Sequence, residues 1–233
     1  EVKKIKVVSI SSCSNVTGMK TDIDYISKFC TLNSIIFVVD ISQSLFSDIN
    51  LSKINANYYA FSAHKMFGPK GIGAVIIRND TVSASTPTNL GGGMVLNSLS
   101  VPPVWSEGIK KFDYGTVDSA SIIAWAEACK FIRSFPYHEI NSHNLTIRKY
   151  LFNGLSTINN IVIISESSCD SSIIAFYHKK IHSHDINRFL IKKNIIIRVG
   201  HMCSQSYLNA IQVNSLCRIS WNIFNTIDDS NKI

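Results

Sequence analysis

The sequence predicts an α/β fold, in which strands of a mostly parallel sheet alternate with flanking helices. Residues 35–39 form a short apolar run rich in β-branched side chains, which is typical of a strand buried on both faces of such a sheet. Helix-like stretches at 22–30 and 119–134 alternate with runs of this kind. Asp40 ends the apolar run, and open α/β sheets bind ligands at the carboxyl ends of their strands.

The remaining elements follow from the same periodicities. The long helix at 119–134 takes Asp118 or Ser119 as its cap, and residues 83–111, which contain Gly, Pro and Ser, predict a long functional connection. We expect a domain boundary near Asp118, which gives a domain at 1–118 and a smaller α+β domain at 119–233. Strands are predicted at 5–10, 35–39, 58–61, 74–77 (the hairpin partner of 58–61), 161–165, 172–177, 195–199 and 216–223, with a further helix at 185–193.

The richest chemistry lies between the second strand and the glycine-rich turn at 68–73. An isolated carboxylate such as Asp40 needs a cationic partner, and the protonated ring nitrogen of pyridoxal phosphate is one. Lys65 supplies an amine for the aldehyde of that cofactor, and Ser62 and His64 can donate hydrogen bonds to phosphate oxygens. The joint arrangement favours an aldehyde-cofactor site over an ordinary strand end with a solvated lysine.

These residues carry a resemblance to a known family. Val39-Asp40-x-x-Gln43 and the segment from Ser62 to Gly73 resemble the cofactor-binding core of cysteine desulfurases, in the class V aminotransferase branch of fold type I pyridoxal-phosphate enzymes. The segment from Arg198 to Cys203, Arg-x-Gly-His-x-Cys, is similar to the Suf type. Further similar segments, in the family's order, are Ser14-Asn15-Val16-x-Gly18, Gly91-Gly92-Gly93-Met94-Val95, Phe112-Asp113-Tyr114-Gly115-Thr116 and Cys217-Arg218.

The resemblance implies a role for each residue around the cofactor. Lys65 binds the aldehyde covalently and later moves protons, while Asp40 pairs with the ring nitrogen. Gln43 donates to the phenolic oxygen, and Ser62 and His64 hold the phosphate. The implied fold is the later part of a fold type I large domain, followed by the small domain.

The resemblance also implies the substrate contacts. Asn15 lies beside the ring and the substrate, Arg218 binds the substrate carboxylate, and Cys203 attacks the substrate sulfur. Thr116 reaches the phosphate of the neighbouring subunit's cofactor, which implies a homodimer. His201, two residues before Cys203, fits either a proton-transfer partner or a polar loop residue.

The activity implied is conversion of L-cysteine to L-alanine, with sulfur passing through a persulfide to an acceptor protein for iron–sulfur cluster assembly; L-selenocysteine is a second candidate substrate. Two alternatives stay open. The chain could be a non-catalytic fragment or interaction subunit, or a class V aminotransferase or lyase that acts on another amino acid. Cys203 favours a desulfurase over a transaminase, because transamination needs no thiol.

Composition narrows the class of protein. The net charge of +7 comes from scattered lysines and arginines without a nucleic-acid motif, and the apolar runs are far shorter than a membrane span, so neither nucleic acid nor a membrane is expected as a partner. Six cysteines without a Cys-x-x-Cys pair favour a reducing cytoplasm. No metal is expected at the cluster of His178, His182 and His184, since no thiolate or carboxylate set completes it.

The pattern departs from the family in several places. The chain begins in what resembles the middle of the large domain, so the phosphate-binding loop and the ring-stacking histidine are expected upstream of it. Without those contacts we expect weak cofactor binding. Local departures are Ile41 for glycine, Ser12 for histidine, Asp113 for glutamate and Val117 for proline.

Overall fold

A computed structural model describes residues 2–45 and 51–233. By backbone contacts the described chain divides into two compact units. Unit 1 comprises residues 2–10, 23–42 and 51–132, and unit 2 comprises residues 11–22, 43–45 and 133–233. The domain boundary expected near Asp118, between the later part of a large domain and a smaller domain, stays a prediction.

Unit 1 is built on a four-stranded sheet in the order β1-β2-β3-β4. Strands β2 and β3 are parallel, with Asp40 opposite Ala60, and β4 pairs antiparallel with β3, as the predicted hairpin requires. The mixed α/β fold with a parallel pair and flanking helices confirms the predicted class. The elements of this unit are β1 (Val7–Ser11), α1 (Ile23–Leu32), β2 (Ile36–Asp40), β3 (Tyr58–Ser62), β4 (Gly73–Ile77), α2 (Asn79–Ala84), β5 (Val95–Asn97), β6 (Val104–Trp105) and α3 (Ser119–Arg133).

Strand β2 corrects one expectation. Phe37 and Val39 are fully buried, whereas Ile36 is 41% exposed. Successive side chains of a strand point to opposite faces, so one face of β2 is buried, while the other face, which carries Ile36 and the half-buried Val38, is only partly covered. The prediction that the run is buried on both faces was wrong.

The long connection predicted at 83–111 is more structured than expected. It contains the end of α2, the antiparallel pair β5 and β6, and a 3-10 turn at Gly108–Phe112. Met94 is fully buried, and the main-chain nitrogen of Ser106 donates to its carbonyl at 2.9 Å. The segment therefore contains a short hairpin, with Pro102 and Pro103 between its two strands and its glycines before β5 and after β6.

Unit 2 is an α+β unit around an antiparallel sheet in the order β7-β8-β10-β9. Its main core contains Ile147, Leu151, Ile174, Phe176 and Trp221, which come from helix, strand and the residue after β10. The elements are α4 (Tyr137–Thr157), β7 (Ile161–Ile163), β8 (Ile173–His178), α5 (Ser183–Ile191), β9 (Arg198–Gly200), α6 (Gln205–Ala210), β10 (Leu216–Ser220) and α7 (Ile227–Asn231).

Three elements of unit 2 differ from the prediction. The long helix α4 and the short helix α6 were missed. Residues 195–197, predicted as strand, precede the ladder, because β10 pairs with β9 only from Gly200 back to Arg198. Among the described residues, no helix is both long enough and apolar enough to cross a lipid bilayer.

Candidate active site

Unit 1 gathers four of the predicted cofactor residues at one edge of its sheet. Asp40 is the last residue of β2, and Ser62 is the last residue of β3. His64 and Lys65 follow at once in the 3-10 turn Ala63–Met66. Because β2 and β3 are parallel, their carboxyl ends meet at the same edge, so all four residues lie there.

The turn after Lys65 is tightly constrained by its backbone. The main-chain nitrogen of Ala63 donates to the carbonyl of Ile72 at 3.1 Å, and that of Gly68 donates to the carbonyl of Ala63 at 2.9 Å. A Cβ atom at Gly68 would lie only 2.7 Å from Cδ1 of Trp125, so a side chain cannot be placed there without a shift. The glycine therefore allows the backbone to pack closely enough to fix the lysine segment.

The donor set at this edge suits an anionic aldehyde cofactor. Asp40 is exposed, and one of its oxygens accepts from the main-chain nitrogen of Ser42 at 2.8 Å, which orients the carboxylate. Lys65 and Ser62 are half-buried and His64 is exposed. A carboxylate for a ring nitrogen, an amine for an aldehyde, and a hydroxyl and imidazole for a phosphate are thus all available, which fits pyridoxal phosphate.

Gln43 and Thr116 have simpler surroundings. Gln43 is half-buried in the turn that follows β2, three residues after Asp40. Thr116 is exposed, next to Gly115, whose main-chain nitrogen donates to the carbonyl of Gly92 at 3.0 Å. This bond brings the two segments that resemble the family into contact. The role of Thr116 toward a neighbouring subunit stays a prediction.

In unit 2, the segment with Asn15 is shaped by its neighbours. The hydroxyl oxygen of Ser14 accepts from the main-chain nitrogen of Val16 at 3.2 Å, and Val16 is buried in a small apolar cluster. Gly18 has φ +73°, and a Cβ atom there would lie 2.0 Å from Oγ of Ser171. The buried valine and the obligatory glycine fix the ends of the turn and leave Asn15 half-buried between them.

Cys203 lies in a strained turn between β9 and α6. The main-chain nitrogen of Ser204 donates to the carbonyl of His201 at 2.9 Å, which closes a four-residue turn. Its two central residues, Met202 and Cys203, have φ of 53° and 58°. Non-glycine residues in this left-handed region cost about 1–3 kcal/mol each, so other contacts must hold the turn.

Asn15 and Arg218 supply such contacts. Nδ2 of Asn15 donates to the carbonyl of Met202 at 2.8 Å, and Nη1 of Arg218 donates to the main-chain carbonyl of Asn15 at 2.7 Å. The predicted carboxylate-binding guanidinium and the predicted nucleophile are therefore connected by one intervening residue. Among the described residues, Nε of Arg218 is buried without a hydrogen-bond partner, so the guanidinium retains a donor for a ligand.

Arg198 begins the segment that resembles the Suf type, and the structure places it beside Arg218. The two arginines are directly opposite on β9 and β10, an arrangement of like charges that disfavours the pair by itself. Burial lowers the pKa of the Arg218 guanidinium, and the charge of Arg198 lowers it further. Two adjacent cations make this a favourable place for a carboxylate.

The cysteines differ sharply in their environment, and all six are described. Cys203 is the exposed one. Burial raises the pKa of the Cys13 thiol to about 11 and that of Cys217 to about 12, so both stay protonated near neutral pH. Since a thiolate is the reactive form of cysteine, these two are packing residues, as the sequence predicted.

The histidines at 178–184 are used locally. Nδ1 of His178 accepts from the main-chain nitrogens of Lys180 and Ile181 at 3.1 and 3.0 Å. Nδ1 of His182 accepts from the nitrogen of His184 at the start of α5, and their rings stack. Within residues 2–45 and 51–233, no group of three or more His, Cys, Asp or Glu side chains is arranged to hold a metal ion.

Comparisons with known proteins agree with these features. The family described as Aminotransferase class-V matches residues 2–233. The chain is 29% identical to a probable cysteine desulfurase of Staphylococcus epidermidis and 32% identical to one of Ureaplasma parvum serovar 3, covering 99% of this chain in each case. The chain spans 56% and 58% of the length of these relatives.

A solved structure shows the same fold. The apo structure of a cysteine desulfurase from Thermococcus onnurineus NA1 is 25% identical and superposes with a TM-score of 0.92, covering 99% of this chain and 58% of that one. Neither the sequence relatives nor this structure separates the Suf type from other types, so that assignment stays a prediction.

Proposed function

The chain belongs to the class V aminotransferase family, and we propose that it acts in a pyridoxal-phosphate-dependent cysteine desulfurase of the Suf type. The observation that carries the proposal is the link in unit 2 between Arg218, which can bind a carboxylate, and the turn that presents the exposed thiol of Cys203. A transaminase needs the arginine and has no use for the thiol.

Pyridoxal phosphate is the cofactor that the family implies, and the edge of the unit 1 sheet has suitable groups for it. Lys65 would hold its aldehyde carbon, Asp40 its ring nitrogen, and Ser62 and His64 its phosphate; Gln43 would donate to its phenolic oxygen. When bound, the protonated ring withdraws electrons from the α-carbon of the amino acid. Asp40 keeps the ring nitrogen protonated, because a carboxylate favours the charged form of its partner.

The residues of this chain then have separate tasks toward cysteine. Arg218 binds the substrate carboxylate, since a guanidinium matches a carboxylate with two parallel hydrogen bonds, and Asn15 lies beside the substrate. The thiolate of Cys203 forms a bond to the substrate sulfur as the carbon–sulfur bond breaks, and the electron pair stays on carbon. Lys65 delivers a proton there, so the products are L-alanine and a persulfide on Cys203.

The proposal extends to partners. A persulfide on an exposed residue can be passed to the thiol of an acceptor protein, which is the step needed for iron–sulfur cluster assembly. Thr116, which is exposed, would reach the cofactor phosphate of a second copy in a homodimer. A reducing compartment such as the cytoplasm suits a nucleophile that must remain a free thiol.

Absorbance tests the role of Lys65. Full-length protein supplied with pyridoxal phosphate should show the visible absorbance of lysine-bound cofactor, and Lys65→Ala should abolish it. Lys70→Ala is the matched control, because Lys70 is an exposed lysine of the same turn. Equal absorbance in Lys65→Ala and the parent would reject the assignment.

Sulfur transfer tests Cys203 separately. Cys203→Ala should keep the colour and lower alanine and persulfide formation from cysteine to below roughly 1% of the parent rate, because the nucleophile is lost. Cys129→Ala, which removes a half-buried cysteine of α3, should retain activity. Persulfide formation at the parent rate by Cys203→Ala would contradict the desulfurase proposal. Retained transamination would support the alternative that the chain acts in a class V aminotransferase.

A further inference from the structure

The turn that carries Cys203 is held by its neighbour and not by its own side chain. Cys203 is exposed, whereas Met202 is 5% exposed and packs with Val16, Leu208 and Leu216. Both central residues of the turn have positive φ, a conformation that side chains disfavour. A single buried side chain fixes where Met202 lies but leaves its peptide groups able to rotate, so it does not fix the direction of the thiol.

The peptide group between Met202 and Cys203 has its own restraint. Its carbonyl oxygen accepts from Nδ2 of Asn15 at 2.8 Å, across 187 positions of sequence. Rotation about ψ of Met202 would move the Cα of Cys203 and break that bond. Asn15 is itself fixed, because its main-chain carbonyl accepts from Arg218 and the adjacent Val16 is 1% exposed.

We propose that Asn15 is a positioning residue, whose side-chain amide fixes the Cys203 turn relative to Arg218. This inference deepens the proposed function and rests on it for the role of the thiol. The main-chain carbonyl of Asn15 accepts from the guanidinium of Arg218, and its side-chain amide donates to the turn that carries Cys203. Cysteine bound through its carboxylate therefore meets a thiol held at a set distance, which favours attack on its sulfur.

The amide leaves room for the substrate role as well. An asparagine side chain has two N–H donors and one carbonyl acceptor, and the bond to Met202 uses one donor. Within residues 2–45 and 51–233 the remaining donor and the oxygen have no hydrogen-bond partner, so both stay available for a ligand. Positioning of the turn and contact with the substrate are thus compatible in one residue.

Spin labelling measures the order of the turn directly. A nitroxide is attached to Cys203 in protein with Cys129→Ser and Cys169→Ser, since those two are half-buried and the other three cysteines are buried. Asn15→Ala should increase the mobile fraction of the spectrum. Asn33→Ala is the matched control, because it removes an amide-to-carbonyl bond of 2.9 Å to Phe29 and should leave the spectrum unchanged.

Hydrogen exchange gives a second measure. The amide of Ser204, which closes the turn, should exchange about tenfold faster in Asn15→Ala, which corresponds to the loss of a bond of about 1.4 kcal/mol. The amide of Leu208, in the adjacent helix, should change much less. Equal acceleration at both positions would mean a general loss of stability and would overturn the positioning role.

Two further arms keep the test decisive. Asn15→Asp keeps the shape and removes the donor, so it replaces Asn15→Ala if that variant does not fold. In the parent protein, the Asn15 side-chain proton that is bonded to the Met202 carbonyl should exchange slowly with solvent. If both side-chain amide protons of Asn15 exchange fast, the inference is overturned without any variant. All these measurements are made without cofactor, so their outcome is independent of the Lys65→Ala absorbance result.

Discussion

Arg148 gives the sharpest prediction for stability. It is 2% exposed on the buried side of α4, and its guanidinium donates to the carbonyls of Ser171 at 3.0 Å, Ile173 at 2.7 Å and Glu166 at 2.6 Å. Burial lowers its pKa, yet three carbonyl dipoles stabilise the cation. The residue thus fastens the chain before β8 to α4.

The expected loss can be worked out for Arg148→Met. Methionine keeps most of the packing volume and the helix propensity of arginine. The carbonyl of Glu166 lies close enough to the surface to find water, while those of Ser171 and Ile173 become buried and unpaired. At about 1–2 kcal/mol for each orphaned group, unfolding should become easier by about 2–4 kcal/mol.

Urea unfolding followed by circular dichroism measures this change. Lys149→Met is the matched control, because Lys149 is the exposed neighbour in the same helix, and it should stay within about 0.5 kcal/mol of the parent. If Arg148→Met also stayed within about 1 kcal/mol, the carbonyl contacts would contribute little net stability and the reasoning would be refuted.

Three further predictions follow from single contacts. Gly18→Ala should destabilise the protein by about 2–4 kcal/mol in the same assay, because of its φ of +73° and the close Ser171, whereas Gly154→Ala, a helical position with open space, should stabilise by about 0.5–1 kcal/mol. Because the thiol pKa values of Cys13 and Cys217 are raised, the folded state binds these protons more tightly than the unfolded state does. Their contribution to the free energy of unfolding should be fully present below pH 9.0 and should fall by about 1.4 kcal/mol per pH unit per thiol, up to pH 11 for Cys13 and pH 12 for Cys217. The double alanine variant should lose this pH dependence. Iodoacetamide at neutral pH should modify Cys203 at least about 100-fold faster than Cys217, as read by peptide mass spectrometry, and equal rates would contradict their different burial.

The elements predicted well are those whose own sequence shows the apolar pattern of a strand or a helix. Strands β2, β3 and β4 and helix α1 were found within a few residues. Helix α4 was missed because its buried stripe, which includes Ile140, Ile147 and Leu151, also contains Asn144 and Arg148. Because these two buried positions are polar, the spacing of the apolar residues alone does not show the helical period.

Residues 195–197 show the opposite error. Ile195 and Ile197 are buried and Ile196 is 89% exposed, which is the alternation of a strand. The ladder nevertheless pairs β9 with β10 only from Arg198 to Gly200, although β10 itself continues to Ser220. An alternating pattern in one segment does not show which of its residues a distant strand will pair with.

The candidate site also has a part that local sequence predicts and a part that depends on contacts between residues distant in sequence. The placement of Asp40 and Lys65 followed from strand ends and sequence proximity, which a sequence displays. The bond from Asn15 to the Met202 carbonyl joins residues 187 positions apart, and no local pattern encodes it. The resemblance to the family implies that Asn15 contacts a ligand, whereas its contact with the Cys203 turn is formed only in the tertiary structure.

The energetics of that turn explain how an exposed thiol can also be well placed. Two left-handed residues cost about 2–6 kcal/mol together, and the bond from Asn15 offsets only about 1.4 kcal/mol of this. Burial of the Met202 side chain contributes about 1.5–3 kcal/mol more. Packing therefore supplies most of the energy and the amide supplies the direction, and because neither acts on the side chain of Cys203, the sulfur stays open to solvent while its backbone is fixed.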